Sequence, residues 1–430
     1  MIAPARTLAY ETIRATFEQE AHTERAFREA ADERALDARE RAQAQRLAYG
    51  TVQRRGTIDA ALSRLVDRPL RDLDPPLLGA LRLGMYELLF ADGTPDHAAV
   101  DQAVELVKRA GAAHASGLVN AVLRRATRER ASLVESLLGD DSTPQAAAVA
   151  HSAPLWLAQM WWDELGPEAA RALLAACNEP AEKAFRVNTL CTDLETTIAR
   201  LREAGVRARP ADGEWPLTVP EMIVVEGPTG DVVPELIAAG ELTPQSRGSA
   251  AVVEVLDPQP GEHILDLCAG PGIKTGQIAA RMGDRGEVIS VENDSKRAAE
   301  VADQARRLGL RSVTVIETDA AQPGMAPGFD RVLLDAPCSD LGALASRPDA
   351  RWRKSPATID RLVKVQAELL DRAKAALRPG GTLVYSTCTI SARENEQQVD
   401  AGERFQLRPD RDRTTGFFIC RLRRDDGDDE

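Results

Sequence analysis

The stretch His263-Ile264-Leu265-Asp266-Leu267-Cys268-Ala269-Gly270-Pro271-Gly272-Ile273-Lys274-Thr275 decides the fold. Its first five residues form a short apolar run that reads as a buried strand. A loop of small residues follows, and a helix is predicted from about 274. Downstream the same rhythm repeats: strand 287–291, helix to about 308, strand 312–316, apolar run 331–334, helix 356–377, strand 382–385. Strands alternating with long helices predict an α/β domain, a doubly wound and mostly parallel Rossmann-like sheet, over 246–430. Ligands of such sheets bind beyond the carboxyl ends of the strands, so the chemistry is sought in those loops.

Upstream the rhythm differs. Over residues 1–138 apolar side chains recur at helical spacing (Leu8, Ile13, Phe17; Leu62, Leu65; Leu77, Leu81; Val104, Val107; Val122, Leu123), which predicts an all-α domain. Its helices are punctuated at Gly56-Thr57, Asp74-Pro75-Pro76 and Gly93-Thr94-Pro95. Gly139-Asp140-Asp141-Ser142-Thr143-Pro144 reads as a linker or turn. Residues 150–245 mix a Trp-rich helix, a strand-like Phe185-Arg186-Val187-Asn188, a helix at 193–204 and the apolar run Met222-Ile223-Val224-Val225, predicting a small α+β domain. Trp156, Trp161 and Trp162, at helical spacing, read as core rather than as base-stacking residues.

Composition bounds the function classes. The 430 residues are 43% apolar and 28% charged, which excludes collagen-like, disulfide-scaffold and wholly disordered chains. With 54 Lys+Arg against 67 Asp+Glu the net charge is −13, at first sight a poor match for nucleic acid. Part of that charge is the tail Asp425-Asp426-Gly427-Asp428-Asp429-Glu430, and residues 1–130 balance at 20 basic against 19 acidic. Basic residues gather at Arg124-Arg125-Ala126-Thr127-Arg128-Glu129-Arg130 and at Arg347 to Lys354, so RNA contact is predicted to be local. Six scattered cysteines without a CxxC pair predict neither a zinc knuckle nor a redox dithiol, and no metal. The lack of a signal-like or ~20-residue apolar run predicts a cytoplasmic protein with reduced thiols and no membrane partner.

Four strand ends carry candidate chemistry. The loop Cys268–Lys274 lets backbone approach a ligand closely. Glu292, twenty residues after Gly272, is placed to accept hydrogen bonds from ribose hydroxyls, and Asp319, after the next strand, to receive an adenine amino group. Asp335-Ala336-Pro337-Cys338-Ser339 and Ser386-Thr387-Cys388-Thr389 then put two cysteines at adjacent strand ends. A buried thiol is usually structural, but two at such positions point to function.

These motifs resemble the RNA cytosine-5 methyltransferases of the RsmB (Sun/Fmu) type. Arg347-Pro348-Asp349-Ala350-Arg351-Trp352 is similar to that family's basic loop, Gly380-Gly381-Thr382-Leu383-Val384-Tyr385 to its fifth strand and Gly416-Phe417-Phe418 to its last. Leu81-Arg82-Leu83-Gly84, Pro95-Asp96-His97-Ala98 and Val119-Asn120-Ala121-Val122-Leu123-Arg124 resemble its NusB-like RNA-binding domain. The resemblance implies that S-adenosyl-L-methionine is held by Cys268, Ala269, Gly270, Pro271, Gly272, Ile273 and Lys274 together with Glu292, Asp319 and Asp335. It implies that Cys388 is the nucleophile, that Cys338 assists product release, and that the substrate is 16S ribosomal RNA. Three positions depart from the pattern. Ile273 stands where a small residue is usual, and a branched side chain does not readily take φ > 0; Ser246 and Thr415 replace frequent aspartates. The alternatives are a non-catalytic RNA-binding or assembly factor, a tRNA methyltransferase, and a DNA methyltransferase using Cys338. Oligomeric state is not fixed by the sequence.

Overall fold

The computed structural model describes residues 2–321 and 327–425. The acidic tail from 426 onward lies outside the described residues. By packing, the chain forms two compact units: one gathers the described residues up to Glu179 with Leu344–Ser355, the other Pro180–Ala343 with the chain from Pro356 onward.

The regular elements of the first unit are all helices, and over residues 1–138 this is what the 3.6-residue periodicity predicts. Helix Pro75–Leu89 is buried on nearly every side among Leu8, Ile13, Leu47, Ile58, Leu62 and Leu123. Its two buried charges are paired, Arg82 with Asp59 at 2.8 Å and Glu87 with Arg6 at 2.7 Å, which offsets the cost of taking them out of water. The break expected at Gly56-Thr57 falls slightly earlier, because helix Arg55–Leu65 already contains both residues. Trp161 is fully buried, in keeping with its reading as core, and Trp156 and Trp162 are half-buried.

Arg351 departs from its sequence expectation. Arg351, read as part of an RNA-facing basic cluster, is 1% exposed. Its guanidinium donates to the carbonyls of Ser152 at 2.9 Å and Cys177 at 3.0 Å and to Asn178 Oδ1 at 3.1 Å. Ser152 and Cys177 follow helices Pro144–Ala150 and Pro167–Ala176, whose last carbonyls have no partner within the helix. The forked cation lies just past the C-terminal ends of both helices, where the negative ends of their dipoles favour it. Burial lowers its pKa to about 10. The adjacent Trp352 is fixed by donating Nε1–H to the Val52 carbonyl at 2.7 Å.

The second unit holds two sheets. The smaller is antiparallel: β1 (Ala184–Val187), β2 (Arg207–Pro210), β3 (Met222–Glu226) and β4 (Leu242–Pro244) in the order β2-β3-β1-β4. Only β1 and β3 carry an apolar run long enough to read from sequence; β2 is largely exposed and β4 has three residues.

The larger sheet comprises β5 (His263–Asp266), β6 (Glu287–Glu292), β7 (Val313–Glu317), β8 (Phe329–Asp335), β9 (Leu377–Thr387), β10 (Glu403–Leu407) and β11 (Phe417–Arg423), in the order β10-β11-β9-β8-β5-β6-β7. The strands β5 to β9 are parallel, and β11 and β10 add antiparallel at one edge. Strands β5, β8 and β9 are apolar on both faces, as sheets covered by helices require. From β5 the chain winds outward through β6 and β7, then returns to β8 on the other side. The topological switch point therefore lies between β5 and β8, where ligands of such sheets bind.

Candidate active site

The β5 loop is shaped by two glycines with different duties. Gly272 takes φ +94° at the N-cap of helix Ile273–Arg281, and a Cβ there would come within 3.0 Å of the Val301 Cα. The left-handed conformation thus falls on Gly272, while Ile273 begins the helix and needs no positive φ. Gly270 admits Glu292: a Cβ would lie 2.3 Å from Glu292 Oε2, which instead accepts the Gly270 N–H at 3.0 Å. Glu292 also accepts from the backbone N–H groups of Asn293 and Asp294, so this 4%-exposed carboxylate ties the ends of β5 and β6 together. Ser246 caps its own helix by accepting the Ser249 N–H, so that replacement costs no cap.

Charged groups converge at the switch point. Lys274 Nζ donates to Asp335 Oδ2 at 2.6 Å and lies 4.9 Å from the centre of the Phe417 ring. The other oxygen of Asp335 accepts from Ser386 Oγ at 2.8 Å. Beneath them Asp266 is fully buried. Its Oδ2 accepts from Thr275 Oγ1 at 2.7 Å, and its Oδ1 has no protein partner among the described residues. Burial, reinforced by the charges of Asp335 and Glu292, pushes its pKa up to about 7. Burial likewise pushes the Cys268 thiol up, so Cys268 is not a nucleophile in waiting. Asp319 is exposed, with Oδ1 accepting the Ala321 N–H at 3.0 Å.

The two remaining motif cysteines meet. Asp335 and Ser386 are register partners on β8 and β9, so the loops that follow start side by side. Cys338 Sγ and Cys388 Sγ are 3.4 Å apart, and none of the six cysteines is in a disulfide. Cys338 is buried and Cys388 half-buried. Cys388 Sγ is 3.3 Å from Asp340 Oδ1, and the Gly342 N–H donates to the Cys388 carbonyl at 2.9 Å.

A buried polar network holds both loops. Ser339 Oγ and Thr389 Oγ1, each next in sequence to one cysteine, are 2.6 Å apart. The Ser339 N–H donates to Glu394 Oε1 at 2.9 Å, and Gln366 Nε2 donates to the same oxygen at 3.1 Å and to the Pro337 carbonyl at 2.9 Å. Thr387 Oγ1 donates to Asn395 Oδ1 at 2.6 Å, and Asn395 Nδ2 to the Thr389 carbonyl at 3.1 Å. Glu394 and Asn395 are fully buried. Glu394, Asn395 and Asp340 are not among the site residues that the sequence predicts, and Asp266 stands in the predicted loop stretch without an assigned role. The one available signal is a run of three polar residues, Glu394-Asn395-Glu396, that begins six residues after Cys388.

A mixed, mostly parallel sheet with a glycine loop at its switch point and acids at successive strand ends is the architecture of Rossmann-like methyltransferases. Comparison with known proteins narrows the class. Residues 253–413 match the family described as 16S rRNA methyltransferase RsmB/F, 3–128 the NusB family, and 153–229 the RsmF/B-like ferredoxin-like domain. A probable ribosomal RNA small subunit methyltransferase B from Synechocystis is 35% identical over 92% of this chain and 88% of its own. The ribosomal RNA small subunit methyltransferase B of Escherichia coli is 32% identical over 84% of this chain and 82% of its own. The crystal structure of PH0851, at 25% identity, covers 98% of this chain and 99% of its own with a TM-score of 0.81. The chain belongs to the RsmB/F family of 16S rRNA methyltransferases.

Proposed function

We propose that this enzyme methylates carbon 5 of a cytosine in 16S rRNA, in the cytoplasm, through a covalent adduct on Cys388 that Cys338 helps to release. The observation that carries the reading is the 3.4 Å separation of the two thiols at neighbouring strand ends.

S-adenosylmethionine supplies the electrophilic methyl group. The strand-end residues fit it: Asp266 offers a buried, unpartnered carboxylate oxygen beside Lys274 and Asp335, and Gly270 and Gly272 expose backbone along Cys268–Lys274. Glu292 and Asp319 are the acceptors for the nucleoside end. Asp335 and Glu292 lend the pocket negative charge, which suits a cationic sulfonium and ammonium, while Asp266 is a carboxyl group whose pKa burial raises to about 7.

Carbon 5 of cytosine is too weak a nucleophile to take a methyl group unaided. Cys388 Sγ forms a bond to C6 as the C5–C6 π bond breaks, which places its electron pair on C5. Once C5 carries the methyl group, loss of the C5 proton and breakage of the S–C6 bond restore the ring. Cys338, beside Cys388, serves that second half. The base must leave its stack to reach the strand ends, so unfolded or looped RNA is the favoured substrate form. The non-catalytic alternative rested on Ile273, which sits in an ordinary helical position.

The test is transfer of labelled methyl groups to unmodified 16S rRNA. Cys388→Ala is expected to lose activity, and Cys338→Ala to accumulate a protein–RNA adduct stable to denaturant. Full activity in Cys388→Ala rejects the mechanism.

A further inference from the structure

We infer that Cys338, Cys388 and Asp340 form a binding site for one thiophilic divalent cation of the zinc class. The two sulfurs and an Asp340 carboxylate oxygen all lie within 4.8 Å of one another. Two edges of that triangle are 3.4 Å between sulfurs and 3.3 Å from Cys388 Sγ to Asp340 Oδ1. Tetrahedral zinc, with Zn–S about 2.3 Å and Zn–O about 2.0 Å, sets these edges at roughly 3.8 and 3.5 Å. The donors are therefore within a few tenths of an ångström of a metal-bound arrangement along both edges. Two thiolates and a carboxylate are the donor set that selects zinc-like ions over magnesium or calcium.

The site is built rather than accidental. The Ser339–Thr389 hydrogen bond and the Glu394 carboxylate fix the residues next to both cysteines, so the sulfur separation is set before any ligand arrives. Asp340 takes φ +59°, a conformation aspartate tolerates better than most residues, and its carbonyl accepts the Ala343 N–H at 3.0 Å. This turn aims its carboxylate at Cys388. Cys388 and Asp340 are half-buried, so a cation reaches the donors without opening the core. No local spacing reveals the site, because its ligands come from two loops 50 residues apart in sequence.

Binding forms two sulfur–metal bonds and one oxygen–metal bond, and the two thiol protons pass to solvent with no change of oxidation state. Since the same sulfurs are proposed to make and release the RNA adduct, cation occupancy and methyl transfer exclude one another. That consequence rests on the proposed cysteine roles; cation binding itself does not.

The experiment titrates the full-length protein, reduced with a phosphine, with Co²⁺ as the probe, following thiolate-to-cobalt charge-transfer absorbance. One equivalent of Co²⁺ is expected to saturate a band that Zn²⁺ then abolishes. The band is expected to vanish in the Cys338→Ser/Cys388→Ser double variant, and Asp340→Asn to weaken cobalt affinity about tenfold or more. In the unaltered protein, Zn²⁺ is expected to slow alkylation of Cys338 and Cys388, mapped by mass spectrometry, which covers the case of a variant that does not fold. Absence of the band, its persistence in the double variant, or alkylation unaffected by Zn²⁺ overturns the proposal. Cobalt binding together with full activity of Cys388→Ala leaves the cation site standing and rejects the proposed mechanism instead.

Discussion

Ser339 and Glu394, 55 residues apart in sequence, are joined twice: the Ser339 N–H donates to Glu394 Oε1 at 2.9 Å, and its hydroxyl donates to Oε2. Both residues are fully buried. A carboxylate in that position replaces lost water with charge-assisted hydrogen bonds from Ser339 and Gln366, and so fastens the Cys338 loop to the chain that follows Cys388.

Glu394→Ala is therefore expected to destabilise the α/β unit by about 2–4 kcal/mol, because several buried donors lose their acceptor at once. Native-state hydrogen exchange across the α/β unit in increasing urea measures it. Glu394→Gln, which keeps an acceptor but not the charge, is expected to cost less. Equal stability of Glu394→Ala and the unaltered protein contradicts the clamp.

Arg351 gives a contrasting prediction. Arg351→Met leaves the carbonyls of Ser152 and Cys177 without their donor, and a loss of about 1–3 kcal/mol for each orphaned acceptor is expected. The same variant, assayed under conditions where it is folded, is expected to leave the slope of log K for RNA against log salt unchanged. A slope shallower by about 0.7–0.9 would mean that Arg351 contacts a phosphate after all.

With Arg351 removed from the exposed cations, RNA binding is expected to depend only weakly on salt. In the helix Ser116–Leu138, Arg125 is paired with Glu129, and Arg130 with Asp96. Filter binding across a salt series checks this. A fall of about ten log units in K per log unit of salt requires many more phosphate contacts than these surfaces supply.

Asp266 predicts a pH dependence with a definite sign. Its folded pKa, about 7, lies above the ordinary carboxylate value of 3.8. Between those values the folded state holds a proton that the unfolded state has lost, so its contribution to stability falls as pH rises from about 4 to 7 and then levels off. Asp266→Asn removes that slope. Relative to the unaltered protein the variant is expected to gain stability across this window, up to about 4 kcal/mol, and the gap is expected to stay constant above it. Thermal melts of both proteins between pH 4 and 8, without cofactor, give the difference; a gap that narrows with rising pH rules the argument out.

Gly272→Ala is expected to cost about 1–3 kcal/mol through its φ of +94° and the crowding against Val301. Ile273→Gly, by contrast, is expected to destabilise its helix by less than about 1 kcal/mol, since position 273 needs no left-handed conformation. Calorimetric titration with S-adenosylmethionine then separates the two: affinity is expected to fall in Gly272→Ala and to stay nearly constant in Ile273→Gly.

The sequence by itself determined the helical character of the N-terminal region, the alternating strands and helices of the C-terminal region, the glycine loop and the two cysteine motifs. Each is written in local signals: helical periodicity, apolar strands covered on both faces, and small residues where a strand turns into a helix. The short β2, β4 and β10 were not legible, because three to five residues at or near a sheet edge carry too little apolar pattern. Only the tertiary structure decided that Arg351 lies just past two helix ends inside the helical unit, that Glu394 clamps both cysteine loops, that Asp340 faces Cys388 and that Asp266 is starved of water. The physical reason is common to all four. Each property depends on which groups a side chain meets, and how much solvent it loses, when segments tens to hundreds of residues apart pack together, and neither is encoded in the spacing of neighbouring residues.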